Sequence, residues 1–251
     1  MTTSKNQPTP VPIANSELHE LTSSIVGQKY YIKIRLPEDY YDSTDSYPVL
    51  YLMDGDHTFA MATDIVQYLI YGEHIPDLLI VCPSYGSKKL SREGGTNMRE
   101  RDLLPVPMEG LVASPGAALF LQFIEQELIP FVETHYRVNP SDRILEGYSL
   151  GSFFVLYTLF QKPGIFTRMI AIDGSADWLQ DMEEKYSTER STLPVRLFVG
   201  SGSNDMTTLA NSMAKRGYSG FTIEHEQLNP SGHFTVPAEG LTKGLVSVFH
   251  F

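Results

Sequence analysis

The stretch that decides the fold is Arg143-Ile144-Leu145-Glu146-Gly147-Tyr148-Ser149-Leu150-Gly151-Ser152-Phe153-Phe154. A short apolar run leads into Gly147 and Gly151, which flank Ser149 in the spacing G-x-S-x-G, and an apolar segment follows. This pattern is typical of a nucleophile elbow, a strand-to-helix turn so sharp that small residues must flank the serine. The turn aims the first N–H groups of the following helix at the group that the serine attacks. The sequence therefore predicts Ser149 as a nucleophile.

Size and composition indicate an ordinary globular protein and exclude some partners. The chain has 251 residues, of which 42% are hydrophobic and 20% charged. Its formal net charge is −11, and no basic cluster offsets it, which argues against binding to nucleic acid. No apolar run approaches membrane-spanning length, so we expect no membrane partner. The oligomeric state is left open.

The N-terminal segment and the cysteine content suggest a cytoplasmic protein. Residues 1–15 are polar and proline-rich and contain no apolar signal-peptide core, so we expect a flexible tail. Cys82 is the single cysteine and lies in the apolar run 78–82, which indicates a buried strand thiol and excludes an internal disulfide. We expect residues 16–251 to form one domain in a reducing compartment.

Hydrophobic patterning predicts the α/β class. The pattern from Leu18 to Leu36 is strand-like, with a turn at Val26-Gly27-Gln28 and polar–apolar alternation over 29–36, which together indicate an antiparallel strand pair at one sheet edge. Buried-strand patterns then alternate with helical patterns, which predicts a mainly parallel sheet with helices on both faces. The strands are expected at 48–53, 78–82, the elbow run, 168–172, 195–200 and 221–228, and the helices at 60–71, 116–136, 206–216 and 239–249.

A serine nucleophile needs a histidine base, and in an elbow-type fold this histidine follows the serine in the chain. His225 and His233 are the two candidates downstream of Ser149. His225 lies in the middle of a predicted strand, where alternation places it on the surface. His233 follows that strand in the glycine-containing loop Pro230-Ser231-Gly232-His233-Phe234. We therefore predict His233 as the base.

The acid that orients the histidine has three candidates. Asp205 lies in Gly200-Ser201-Gly202-Ser203-Asn204-Asp205, directly past a buried strand, and the segment to His233 has room for one helix and one strand. We predict Asp205 as the catalytic acid. Asp173, past the preceding strand, is the alternative, and Asp177 is a weaker one. Asp205 could instead only cap the next helix, a role that aspartate fills well.

An oxyanion hole requires two converging N–H donors. We predict the backbone amide of Leu150, the residue after the nucleophile, as one donor. The other is expected from the loop after the strand 48–53, which makes the backbone of Gly55 or Asp56 the candidate.

Further polar and aromatic residues near these loops are candidate substrate contacts. His57 and Trp178 could line the pocket or simply pack against the protein, and Tyr148 and Arg99 are also candidates. Asp54, Asp56 and His57 could together hold a metal ion, but no second histidine cluster supports such a site. We expect neither a metal nor a cofactor.

The sequence resembles the putative-esterase branch of the α/β-hydrolases, and within it the siderophore-esterase-like members most. The matching residues, in order, are Tyr47-Pro48-Val49-Leu50-Tyr51-Leu52-Met53-Asp54-Gly55-Asp56, Arg99-Glu100-Arg101-Asp102-Leu103-Leu104-Pro105, Glu127-Leu128-Ile129-Pro130-Phe131, Gly147-Tyr148-Ser149-Leu150-Gly151, Phe166-Thr167-Arg168 and Gly232-His233-Phe234. The resemblance implies an α/β-hydrolase fold and ester hydrolysis through an acyl-serine without a cofactor. It carries catalysis onto Ser149 and His233.

The chain departs from the family pattern at three places. Ser152 stands where the family usually has a second glycine, and the acid loop 202–205 is not a close match to the glutamate-bearing loop of similar members. The segment 178–193 is short, which suggests little lid and an open cleft for a bulky substrate. Arg99 and Arg101 could hold an anionic substrate such as a catecholate siderophore, but we favour pairing with Asp102 and Glu100.

The sequence therefore predicts a serine carboxylic-ester hydrolase that acts on a small-molecule ester of the siderophore, aryl or acyl type. An acyltransferase or a thioester hydrolase would use the same triad and is the alternative. A non-catalytic binding protein is disfavoured because no triad position is missing.

Overall fold

A computed structural model describes residues 9–86, 92–93, 96–111, 114–175, 177–228 and 232–250. Residues 1–8 of the predicted tail lie outside this description. The first strand begins at Ser16, directly after the left-handed residue Asn15. Parts of the long polar segment before Gly116 are likewise outside the described residues.

The sheet is mixed, with an antiparallel edge at its N-terminal side. The strands are β1 Ser16–Thr22, β2 Lys29–Arg35, β3 Tyr47–Leu52, β4 Leu79–Ser84, β5 Arg92–Glu93, β6 Thr96–Asn97, β7 Val138–Tyr148, β8 Arg168–Ile172, β9 Arg196–Ser201 and β10 Thr222–Gln227. Eight of them form one sheet in the order β1-β2-β4-β3-β7-β8-β9-β10, and β5 pairs with β6 separately. Strand β2 is antiparallel to both neighbours, and all pairs from β4 to β10 are parallel. The predicted sheet is confirmed.

Helices cover both faces of this sheet. They are α1 Gly55–Tyr71, α2 Met98–Leu103, α3 Ala117–Phe123, α4 Ile129–His135, α5 Leu150–Gln161, α6 Gln180–Glu189, α7 Thr207–Arg216 and α8 Val236–His250. A π-helical turn, Ile124–Leu128, joins α3 to α4, and a 3₁₀ turn, Asp177–Leu179, precedes α6. One core cluster lies under α3 to α7, and the other lies between the sheet and the pair α1 and α8.

Two helices, α2 and α6, lie in polar segments, so hydrophobic periodicity did not predict them. Helix α2 has six residues, too few for a clear hydrophobic period, and the side chain of Asn97 caps it by accepting from the Glu100 amide. Helix α6 buries few apolar side chains, of which Tyr186 is one. Helices this short or polar are stabilised by packing on the rest of the domain rather than by their own pattern.

The parallel strands place all the relevant loops at one end of the sheet. Strands β3, β7, β8 and β9 run in the same direction, so the residues that follow them meet at the carboxyl edge. In open α/β sheets the ligand site lies at this edge. Ser149 follows β7 directly, Asp54 follows β3 closely, and Asp173 follows β8 directly.

The turn from β7 into α5 is closed by a direct backbone contact. A Cβ atom on Gly147 would lie 2.3 Å from both the carbonyl carbon and the oxygen of Gly151. A Cβ on Gly151 would instead make ordinary contacts, 3.4 Å from the Cβ of Met53 and 3.6 Å from Oδ2 of Asp54. The two glycines of the motif therefore differ, because only the first is required for the chain to turn.

We expect Gly147→Ala to lower the free energy of unfolding by about 1–3 kcal/mol or more, since the new methyl group overlaps backbone atoms. Gly151→Ala, the matched control, should leave stability unchanged or raise it by up to about 1 kcal/mol, because alanine favours a helix over glycine. Urea denaturation followed by circular dichroism measures both. Equal losses in the two variants would contradict the close-approach argument.

Candidate active site

Ser149 occupies a strained backbone conformation at the elbow. Its φ of 56° and ψ of −118° are unusual for a residue with a side chain. The Ser149 amide donates to the Ile172 carbonyl at 2.9 Å, and its carbonyl accepts from the Ser152 amide at 3.0 Å. Strained conformations of this kind persist only where the surroundings enforce them, and they cluster at active sites.

A hydrogen-bonded chain joins Ser149, His233 and Asp173. Nε2 of His233 lies 3.0 Å from the Ser149 hydroxyl oxygen, and Nδ1 lies 2.7 Å from Oδ2 of Asp173. Asp173 is fully buried, whereas 30% of the His233 side chain is exposed. This is the arrangement in which a carboxylate fixes the imidazole tautomer so that Nε2 faces the hydroxyl as a base. His225, the other candidate base, instead contacts the Ser201 hydroxyl, which lies 2.8 Å from its Nε2.

The prediction that Asp205 orients His233 is wrong. Oδ1 of Asp205 instead accepts from the Thr207 amide at 2.8 Å at the start of α7, where Met206 is the N-cap residue. Strand β8 is the direct neighbour of β7, while Asp205 follows β9, one strand further from the serine. Asp177, the weaker alternative, lies in the 3₁₀ turn, and its side chain is outside the described residues.

The loop 202–205, which was predicted to supply the catalytic acid, instead holds the carboxylate of Asp173 in place. Oδ1 of Asp173 accepts from the amides of Gly202 at 2.9 Å and Asn204 at 2.7 Å, and Oδ2 accepts from the Ser203 hydroxyl at 3.1 Å. Burial acts to raise the pKa of Asp173, but these donors and His233 outweigh it and hold the pKa below its usual range. Asp173 is therefore a carboxylate at neutral pH.

Tyr148 contacts His233 directly. Its hydroxyl donates to the backbone carbonyl of His233 at 2.5 Å, and the two ring centroids lie 4.9 Å apart. Burial and the nearby Asp173 carboxylate raise the pKa of Tyr148 to about 12, so the hydroxyl keeps its proton and remains a donor. Tyr148 was predicted as a substrate contact, but its hydroxyl forms a hydrogen bond with the backbone of His233.

The predicted oxyanion donors lie at two helix starts. Leu150 opens α5, and Gly55 and Asp56 open α1. The first amides of a helix have no acceptor within it, so they are available to a negatively charged oxygen. The two helix starts lie side by side, because a Cβ on Gly151 would be in van der Waals contact with Met53 and Asp54. Their role in stabilising an oxyanion stays a prediction.

The remaining predicted contacts have different surroundings. His57 is exposed in the first turn of α1. Trp178 stacks on Phe153, with centroids 5.7 Å apart and an angle of 10° between the rings, and its Nε1 donates to the Ser175 carbonyl at 2.8 Å. This is the packing role considered for Trp178. Ring stacking of this kind stabilises the helix–loop contact beyond the area that it buries.

Both arginines of the motif form ion pairs within the protein. Arg99 binds both carboxylate oxygens of Asp54, and Arg101 binds both oxygens of Asp102. The expected pairing with Asp102 is therefore confirmed for Arg101, whereas Glu100 instead accepts from the side-chain amide of Asn97.

The residues considered for a metal site are engaged by other groups. Asp54 is paired with Arg99, and the Asp56 carboxylate accepts from the Tyr85 amide at 2.7 Å and lies 3.4 Å from Nζ of Lys33. Among the residues that the structure describes, no three histidine, cysteine, aspartate or glutamate side chains are grouped to bind a metal.

Cys82 is buried, and burial raises the pKa of its thiol well above the usual value.

Ser152 is accommodated by a glycine in a neighbouring loop. The Ser152 side chain is fully buried, and a Cβ on Gly174 would lie only 2.4 Å from its hydroxyl oxygen. The side chain that stands in place of the family's second glycine thus fills the space beside Gly174, the residue directly after Asp173. The absence of a side chain on Gly174 therefore leaves room for the Ser152 hydroxyl.

The chain is similar to known esterases over most of its length. Residues 23–216 match the family described as "Putative esterase". The chain belongs to this family. It is 25% identical to the Ferri-bacillibactin esterase BesA of Bacillus subtilis over 95% of this chain and 91% of the relative. It is 31% identical to the Siderophore triacetylfusarinine C esterase of Aspergillus fumigatus over 69% of this chain and 60% of the relative.

The fold is that of the α/β-hydrolases. The solved structure of the BES protein from Bacillus cereus superimposes with a TM-score of 0.82 and 23% identity, covering 96% of this chain and 97% of that one. Membership of the family makes this protein a hydrolase of the serine-esterase type. Within the parts of the chain that the structure describes, no helix is long and apolar enough to cross a membrane.

We expect Asp173→Asn to lower kcat for a p-nitrophenyl ester by about 10⁴-fold, because the amide cannot hold the required imidazole tautomer. Asp205→Asn is the matched control and should change kcat by less than about threefold, since the Asp205 carboxylate accepts from the Thr207 amide at the start of α7 and His233 is paired with Asp173. Steady-state kinetics on the purified variants measures both values. A large loss in Asp205→Asn with normal activity in Asp173→Asn would reverse the assignment.

Proposed function

We propose that this protein hydrolyses carboxylic esters through an acyl-serine intermediate formed on Ser149. The observation that carries the proposal is the continuous chain from the Ser149 hydroxyl through both nitrogens of His233 to Asp173. A serine hydroxyl becomes nucleophilic when a base takes its proton and a third group steadies the base. All three groups are present at hydrogen-bonding distances.

The reaction proceeds in two halves. Oγ of Ser149 attacks the ester carbonyl carbon while its proton passes to Nε2 of His233, and the carbonyl oxygen becomes an oxyanion facing the predicted amide donors. The tetrahedral intermediate collapses, the bond to the alcohol oxygen breaks, and that oxygen takes the proton from Nε2. Water then attacks the acyl-serine with His233 again as the base, which releases the acid and restores Ser149.

We further propose that the ester belongs to a siderophore. Two relatives named as siderophore esterases support this, one of them similar over nearly the whole chain. Phe234 also supports a bulky or aromatic substrate, because 89% of this residue is exposed although its ring lies 5.3 Å from the His233 ring. An aromatic ring left in solvent beside the base offers apolar area that a large ligand would bury.

Replacing the nucleophile tests the reaction type. We expect Ser149→Ala to lower turnover of p-nitrophenyl acetate by about 10⁶-fold and to abolish labelling by a fluorophosphonate probe, because the variant loses the hydroxyl that faces Nε2 of His233. Its circular dichroism spectrum should match that of the wild type. Retained labelling or turnover in the folded variant would refute Ser149 as the nucleophile.

Replacing the exposed aromatic ring tests the substrate class. We expect Phe234→Ala to raise KM for a trilactone siderophore about three- to tenfold, because part of the transfer energy of a phenyl ring is lost. KM for ethyl acetate, which has little apolar surface to bury against the ring, should change much less. Tyr68→Ala is the control, since Tyr68 is 75% exposed near the far end of α1.

The wild-type substrate panel provides the second half of this test. It compares kcat/KM for a trilactone siderophore, a feruloyl ester, a thioester and a p-nitrophenyl ester. A siderophore value below that of every other ester would contradict the proposed substrate while leaving the ester hydrolase intact.

A further inference from the structure

Asp54 and Arg99 form a nearly buried, two-bonded ion pair at the start of α1. Nε of Arg99 donates to Oδ1 of Asp54 at 2.5 Å, and Nη2 donates to Oδ2 at 2.8 Å. The Asp54 side chain is 6% exposed and that of Arg99 is 18% exposed. A guanidinium that binds both oxygens of a carboxylate fixes its orientation as well as its distance.

Asp54, the acidic member of this pair, has a strained backbone conformation. Asp54 has φ of 61° and ψ of 36°, the left-handed region, and its carbonyl accepts from the amides of His57 at 2.8 Å and Thr58 at 3.1 Å. A non-glycine residue stays in this region only if surrounding contacts enforce it. Because Asp54 precedes Gly55, its backbone angles set the direction of the first amides of α1.

The same ion pair also reaches the nucleophile elbow. Nη2 of Arg99 lies 3.4 Å from the carbonyl oxygen of Tyr148, the residue before Ser149. On the other side, a Cβ on Gly151 would lie 3.6 Å from Oδ2 of Asp54. The pair therefore connects the starts of α1 and α5, where the predicted oxyanion donors Gly55 and Leu150 are located.

We propose that Arg99 is a positioning residue that aligns the oxyanion hole through Asp54. The proposal rests on the ester hydrolysis proposed above and gives Arg99 a role other than contact with the substrate. The guanidinium holds Asp54 in its left-handed conformation and fixes α1 relative to the elbow. The alignment matters most when the carbonyl oxygen becomes negative, so its loss raises the barrier to reaction more than it weakens ester binding.

Helix α2 supplies a matched control. Arg101 lies two residues after Arg99 and binds Asp102 through Nε at 2.6 Å and Nη2 at 3.0 Å, with a further contact to the Tyr30 hydroxyl. Asp102 is 1% exposed and the Arg101 side chain 22% exposed. This second pair has similar burial and geometry, but its partners lie outside the elbow and outside the first turn of α1.

The experiment compares Arg99→Gln, Arg99→Lys and Arg101→Gln with the wild type. Each protein is assayed for kcat and KM on p-nitrophenyl acetate and for inhibition by phenylboronic acid. In this inhibitor the Ser149 oxygen adds to boron and forms a tetrahedral anion that resembles the reaction intermediate. Thermal denaturation of each variant reports whether it is folded.

We expect Arg99→Gln to lower kcat about 10- to 100-fold and to raise Ki for the boronic acid by a similar factor, with KM changed less than about threefold. Arg99→Lys keeps the charge but loses the planar fork, so its kcat should lie between those of Arg99→Gln and the wild type. Arg101→Gln should keep both kcat and Ki within about threefold of the wild type, whatever it does to stability.

Three results would overturn the positioning role. The first is an unchanged kcat in Arg99→Gln. The second is a rise in KM alone in that variant, which would make Arg99 a substrate contact. The third is an equal kinetic loss in Arg101→Gln. If Arg99→Gln does not fold, the folded Arg99→Lys decides, and wild-type kcat and Ki in that variant would refute the proposal. Absence of Ser149-dependent turnover in the wild type would instead refute the ester hydrolase itself.

Discussion

The hydrogen bond of 2.7 Å between Asp173 and His233 is the contact on which the site depends. It joins the end of β8 to the loop before α8, two segments separated by 60 residues. The carboxylate is buried and needs donors on both oxygens, which the loop after β9 supplies through two amides and a hydroxyl. A buried charge is tolerated only when it is paired and hydrogen-bonded in this way. The loops after β8 and β9 and the segment before α8 are thus arranged around one carboxylate.

Backbone strain is concentrated at the same edge of the sheet. Ser149, Asp173 and Asp54 each have a positive φ, at 56°, 49° and 61°, and each follows a parallel strand. The three strands β7, β8 and β3 are consecutive in space around β7. Conformations that are unfavourable for residues with side chains are held here by the hydrogen bonds and ion pair of the site. The three strained turns thus place Ser149, Asp173 and the start of α1 at one edge of the sheet.

Two buried carboxyl groups near the elbow are stabilised in different ways. Asp54 is paired with Arg99 through two hydrogen bonds. Glu146, on β7, is 3% exposed, and burial together with the Asp54 charge raises its pKa well above the usual value. Burial therefore disfavours the charged form of Glu146, and it is Asp54 that pairs with Arg99. Two adjacent unpaired carboxylates in this apolar surrounding would repel each other and lose their hydration.

The sequence by itself determined the strand order in the chain, the elbow and the histidine. These features depend on local patterns: apolar runs for strands, the glycine spacing for the turn, and a histidine in the loop after the last strand. Asp173 and Asp205 both follow buried strands, so the local pattern does not distinguish them. Only the tertiary structure does, because Nδ1 of His233 lies 2.7 Å from Oδ2 of Asp173, whereas Asp205 accepts from the Thr207 amide. In the same way, nothing near Arg99 in the chain identifies Asp54, 45 residues earlier, as its partner. Pairing between distant charges is decided by which loops the parallel sheet brings to one edge, and that is a property of the tertiary structure.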